Sequence, residues 1–257
     1  MIKYILYTFL TVSFLLSCTK EKKPNCEYDS SQNVFLDMVL KNGQGDFYLG
    51  DTIDYNNQYR VYLSDFNFYL SDIYLHSGND SVLLDSILLF DYEFFENSKS
   101  FQLSYVSDLL FDSISFGVGV AQRMNGTDDP DFNALDYPYG HPLSPITSSE
   151  MYWSWSQGYR FVLFDGKFSD DNSNNLSNLV SIHTGPDMFY RYKKHKLNLS
   201  SFTTLNFSLD ILNVLNNDEN GIFDLSIYNQ YHGLIDPQMT AEMFSNNFVN
   251  SFNIEAE

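Results

Sequence analysis

The stretch MYWSWSQGYRFVLFDGKF, residues 151–168, holds both tryptophans of the chain, Trp153 and Trp155, two residues apart. On a strand that spacing puts the two indoles on one face. Buried, they form a core platform; exposed, they form a stacking surface for sugar; beside a redox-active metal, an indole is also an oxidisable group. Five histidines are the other chemistry-bearing residues. His76 falls in the turn HSGNDSV and His195 in the basic run RYKKHK, where solvent is the expected partner. His141 lies in HPL, His183 in SIHTG, and His232 in NQYHG. Neutral imidazole is the commonest side-chain metal ligand, which makes these three the candidates, although a lone histidine is more often structural and spacing alone does not gather them.

Other chemistries lack their patterns. HxH, HExxH and CxxC are absent, so zinc enzymes find no support. There is no GxSxG elbow and no Gly-rich phosphate cradle. Carboxylates are abundant, but nothing pairs two of them as glycoside hydrolysis requires. The oxygen-rich segments DDPDFN (Asp128 to Asn133) and NNDENG (Asn216 to Gly221) resemble calcium loops loosely, making calcium a secondary candidate cofactor; they lack the EF-hand spacing, and an ordinary turn suits both. The expectation is a binding protein and not an enzyme.

The elements that must position these residues are strands. Tyr62, Ser64, Phe66 and Phe68 alternate with Val61, Leu63, Asp65 and Asn67, and a slip near Leu70–Ser71 predicts a bulge. Further strands are predicted in VLLDSILLFDY, FQLSYV, FDSISFGVGV, YRFVLFDGKF, NLVSIHTG, KLNLSSF, TLNFSLDILNVL and GIFDLSIYN. The polar connection from Ala121 to Glu150 is too long for a plain loop and reads as functional or ordered by a ligand. Only Pro237 to Phe252 reads as helix, with Thr240 as N-cap and Met243, Phe244, Phe248 and Phe252 at helical spacing. With 23 Phe and 19 Tyr, the fold class is all-β: a β-sandwich of about eight to ten strands, a long ordered connection and one short C-terminal helix.

The formal charge is −19, which makes nucleic acid an unfavourable partner. Residues 1–17 read as a signal peptide: Lys3, an apolar run too short to span a bilayer, and then Leu15-Leu16-Ser17-Cys18. A small residue and then Cys after branched apolar residues is what lipoprotein processing needs, so Cys18 is expected to carry a lipid and join the protein to the bilayer. Residues 18–33 form a polar tether, and residues 34–257 one domain. Cys26, in the tether, is the single remaining thiol, so the domain holds no internal disulfide. Thr19, not Asp, follows the lipidated Cys, which points to the outer membrane, facing the periplasm.

Five pieces in order carry a family resemblance: DFNFYLSDIYL, SISFGVGV, GHPLSP leading into MYWSWSQGYRFVLFDGKF, SIHTG, and His232-Gly233 followed by AEMFSNNFVNSF. Together they resemble the MbnP-like family of periplasmic copper-binding proteins. Met151, Trp153, Trp155, Gly158, Tyr159 and Phe161 are the most specific part. The resemblance implies a β-sandwich that holds copper through two histidines, with a nearby tryptophan oxidised to kynurenine by a di-haem partner similar to cytochrome c peroxidase. Carried over, it makes His183 and His232 the first ligand candidates, His141 the third, and Trp153 or Trp155 the tryptophan for oxidation. The chain departs from relatives that place a histidine directly after the residue matching Asn125; here Gly126 follows. Copper binding requires His183 and a second histidine to bring ring nitrogens within about 4 Å of one point, whereas glycan or envelope-protein binding requires a tryptophan exposed on a flat face.

Overall fold

The computed structural model describes residues 31–126, 129–148, 150–154, 158–197, 202–217, 221–233 and 236–257. The signal, Cys18 and most of the tether lie outside them, as do Trp155 and residues 198–201 of the expected KLNLSSF strand. In chain order the first strands are β1 (Ser31–Asn42), β2 (Gly45–Asp46), β3 (Thr52–Tyr55), β4 (Tyr59–Ser77), β5 (Asp80–Asp91), β6 (Ser98–Val106) and β7 (Ser113–Val118). Helix α1 (Gln122–Asn125) is followed by β8 (Tyr152–Ser154), β9 (Gly158–Tyr159), β10 (Val162–Ser169), β11 (Asn178–Thr184), β12 (Arg191–Lys196) and β13 (Thr204–Asp210). Then come α2 (Ile211–Leu215), β14 (Asn216–Asn217), β15 (Gly221–Ile222), β16 (Gln230–Tyr231), α3 (Gln238–Asn250) and β17 (Phe252–Ala256).

Two sheets form an all-β sandwich. One runs β17-β13-β1-β2, with β6 also on β1; the other runs β12-β7-β4-β10-β11-β16, with β3 and β5 also on β4. The long β4 spans the second sheet: β3 and β10 pair with its first half, β5 and β7 with its second. The predicted irregularity is present. The register shifts between Ser71 and Tyr74, and Asp72 takes a left-handed φ of 52°. β1 begins at Ser31, three residues before the expected domain boundary, because Ser31, Gln32 and Asn33 pair with β6.

Alternation sends aromatic rings inward from both sheets. Phe68 stacks on Phe90 at 4.9 Å between centroids, and Phe164 meets Phe66 edge-on at 5.8 Å. Helix α3 adds Phe244 against Phe164 and Phe248 against Phe68, both at 5.3 Å. Thr240 is not the N-cap: it is buried within the helix, and Pro237 occupies the cap position. Phe252 lies beyond the helix, in β17, yet still packs on Phe248.

Two expected strands are shorter than their patterns. TLNFSLDILNVL stops being a strand at Asp210, whose Oδ1 accepts the Leu212 N–H at 3.0 Å and starts α2. In GIFDLSIYN only Gly221 and Ile222 pair as strand; Asp224 Oδ1 then accepts the Ser226 N–H at 2.9 Å and turns the chain. In both places an aspartate side chain competes with the ladder for backbone N–H groups.

A second apolar cluster lies on the other face of the eight-stranded sheet. Tyr69, Leu89 and Leu163 of the sheet meet Leu143 of the long connection, and Met151 and Tyr159 of the segment that follows it. The Tyr69 hydroxyl donates to the Pro142 carbonyl at 2.8 Å, and the Tyr159 hydroxyl to the Leu143 carbonyl at 2.6 Å. These contacts dock the connection on the sheet beside β10 and β11. Because Phe248 touches both Phe66 and Phe68, Phe248→Ala is expected to cost about 3–5 kcal/mol, read as a lower urea midpoint with an unchanged slope.

Candidate metal centre

β10 and β11 are antiparallel, with Leu163 opposite His183 and Asp165 opposite Ser181. Phe164, Val180 and Ile182 point into the core. Period two therefore puts Asp165, Ser181 and His183 on the opposite face together. β16 pairs parallel to β11, with Ser181 against Gln230 and Ile182 against Tyr231. His232, the residue immediately after β16, comes alongside His183. Tyr231, buried edge-on against Phe189 at 5.4 Å, anchors the approach, and the His232 backbone N–H donates to Asp236 Oδ2 at 2.7 Å.

The two imidazole rings stand 4.9 Å apart at 72°. Both Nε2 atoms face the Ser181 hydroxyl, at 3.4 Å from His183 and 2.7 Å from His232. The Asp165 carboxylate completes the group. Its two oxygens lie 2.9 Å from His183 Nε2, and Oδ1 accepts the Ser181 hydroxyl at 2.6 Å. His183 is nearly buried and Asp165 partly so, with side-chain exposures of 12% and 28%, whereas His232 is exposed and opens the site to solvent. Burial pushes the Asp165 carboxyl up, but the hydrogen bonds from His183 and Ser181 outweigh it and hold the group below its usual value. Desolvation, followed by the neighbouring His183, pushes His232 down and favours the neutral ring that a metal needs.

Trp153, on β8, meets His183 edge-on at 6.3 Å, and the Arg160 guanidinium sits 5.2 Å from its ring centroid. Gly185 permits this approach: a Cβ there would fall 2.7 Å from the Tyr159 carbonyl oxygen and 3.4 Å from Trp153 Cε3. The buried Asn125 fixes the same corner. Its Oδ1 accepts the Tyr159 N–H and its Nδ2 donates to Asp187, both at 2.8 Å. Half-buried between Arg160 and His183, Trp153 does not present the bare flat face of a sugar platform.

The structure thus brings together His183, His232 and Trp153 and leaves His141 elsewhere; Trp155 lies outside the described residues. His141 stacks on Tyr137 at 4.5 Å, and its Nδ1 accepts the Leu143 N–H at 3.1 Å. His76 Nε2 lies 2.7 Å from the Ser115 hydroxyl. In DDPDFN, Asp128 lies outside the described residues; Asp129 and Asn133 accept backbone N–H groups of Asp131 and Leu135, as turn and cap residues do. Residues 218–220 of NNDENG also lie outside. Sequence reading missed Asp165 and Ser181. Their signal was parity: in DGKF and NLVSIHT they occupy the polar phase of otherwise apolar strands.

Among the described residues no three His, Cys, Asp or Glu side chains are already gathered closely enough to hold an ion. The Ser181 hydroxyl stands between His232 and Asp165. Two imidazoles beside a carboxylate are nonetheless a donor set that copper accepts. Next to Asp165, an open groove of about 360 Å³ is lined by Asp65, Asp91, Glu93 and Glu150, a field that concentrates cations near the pair.

A family model described as MbnP matches residues 31–228. The chain belongs to the MbnP family. Among solved structures, MbnP from Methylosinus trichosporium is similar at 14% identity and a TM-score of 0.44, over 72% of this chain and 77% of that one. No curated protein matches the chain. Within this MbnP-family domain, Gly185→Ala is expected to push the β8–β9 hairpin off His183. The expected outcome is a loss of about 1–3 kcal/mol in stability with a changed near-ultraviolet dichroism band from tryptophan.

Proposed function

We propose that this MbnP-family protein is a lipid-anchored, extracytoplasmic copper-binding protein that sequesters or delivers copper through His183 and His232 and catalyses nothing itself. One observation carries the reading: His183 on β11 and His232 just after β16, 49 positions apart in sequence, place both Nε2 atoms against one hydroxyl. Family membership supports it, as do the acidic groove and the lowered proton affinity of His232. Imidazole nitrogen suits copper in either oxidation state. Of the two tryptophans, Trp153 is the one described beside a ligand candidate, so it is our candidate for oxidation by a di-haem, peroxidase-like partner. The anchor is the lipid on Cys18, at the outer membrane facing the periplasm. Calcium is not part of this reading.

The full chain, purified in detergent, is to be incubated with Cu(I), dialysed and analysed for metal. About one copper per chain is expected, with near-complete loss in both His183→Ala and His232→Ala and none in His141→Ala. Copper retained equally by all three variants would place the ion elsewhere. Separately, Cys18→Ala is expected to abolish incorporation of labelled palmitate and release the protein from the membrane fraction.

A further inference from the structure

Asp165 is not among the ligands that the copper reading requires, and its position is specific. Its oxygens lie 2.9 Å from His183 Nε2. Two donors on one ion, each at about 2 Å and roughly at right angles, stand about 3 Å apart. Asp165 is therefore already at the separation that it and His183 would keep if both bound the same ion. The side chain is held there from two sides: the Ser181 hydroxyl donates to Oδ1 at 2.6 Å, and the register of β10 on β11 sets Asp165 directly opposite Ser181. Its backbone is fixed by a bulge. Asp65 faces Asp165 and Leu63 faces Gly166, leaving Ser64 as the extra residue of β4. Gly166 is required at that point, since a Cβ would fall 2.0 Å from the Tyr62 carbonyl oxygen.

Resting on the copper reading above, we infer that Asp165 is a third ligand, recruited when His232 swings from the Ser181 hydroxyl onto the ion, and that it sets which oxidation state the site prefers. Two imidazoles alone satisfy Cu(I), which accepts low coordination by nitrogen. An added anionic oxygen is a hard donor that favours the doubly charged Cu(II). The carboxylate also neutralises one of the two charges of Cu(II) in a partly buried setting, where an uncompensated charge is costly. Ser181 is a positioning residue: it aims the carboxylate and occupies His232 until the ion arrives.

The test compares Cu(II) and Cu(I) on the full-length chain and on Asp165→Asn, Asp165→Glu and Ser181→Ala, by competition with a chelator for each ion and by electron paramagnetic resonance of the Cu(II) form. Wild type is expected to show two nitrogen donors and one oxygen donor from the protein. Asp165→Asn, which keeps the shape and removes the anion, is expected to weaken Cu(II) at least tenfold and shift its spectrum, while changing Cu(I) less than threefold. Asp165→Glu is expected to recover part of the Cu(II) affinity, and Ser181→Ala to keep the same donor set while losing part of the Cu(II) affinity, because the carboxylate is no longer aimed; unchanged Cu(II) affinity in Ser181→Ala would overturn its positioning role. Equal weakening of both ions in Asp165→Asn, or an unchanged Cu(II) spectrum, would overturn the assignment. If wild type binds neither ion, or if His183→Ala and His232→Ala bind both as wild type does, the copper reading itself fails and the role of Asp165 falls with it.

Discussion

β10 and β11 are held in phase by what they bury. Phe164, Val180 and Ile182 fill the space between the sheets, and a slip of one residue would drive Asp165, Ser181 and His183 into that space and turn the phenylalanine and isoleucine out to solvent. The free energy that keeps the aromatic core intact thus also keeps three polar side chains at one spot on the outer face. β16 joins under the same rule. Tyr231 must be buried, so His232 must emerge next to it. The juxtaposition of Asp165, Ser181, His183 and His232 is thus specified by apolar packing on the opposite face of their strands.

The docked connection adds the second constraint. Met151, Tyr159 and Phe161 are buried with Tyr69 and Leu163, so the segment that carries Trp153 has few positions open to it. Asn125 then ties the hairpin to the turn after β11 through one buried and one part-buried hydrogen bond, whose loss would strand a buried amide. The indole is held against the imidazole by a framework of buried contacts, and Gly185 is the concession in sequence that lets the two surfaces close.

Much of this was readable beforehand. Alternation in VYLSDFNFYLSDIYL gave β4 and its bulge, because one face of the strand is buried and the period is forced. Strand ends were harder. Asp210 and Asp224 stop strands through side-chain hydrogen bonds that leave the apolar pattern of ILNVL and GIF intact, so periodicity ran on past the true ends. The same division applies at the site. His183 and His232 were visible as residue types, but nothing local says that His232 returns to lie beside His183, since parallel pairing of β16 on β11 is a long-range event. In the sequence Asp165 is one carboxylate among many. Only its strand partner distinguishes it from Asp85 or Asp91.

The pairing of β1 has a different kind of consequence. Its parallel neighbour is β13, with Phe35 across from Thr204 and Lys41 across from Asp210, and β13 is in turn flanked by β17. A chain that emerges N-terminus first therefore keeps one edge of its first strand open until most of its length is available. Closing so long a loop is slow relative to local pairing. The half-made sheet offers an unpaired, partly apolar edge for that whole interval. Maturation of this protein should accordingly be sensitive to holding factors that shield nascent strands, and its weakest moment is before the C-terminal strands arrive.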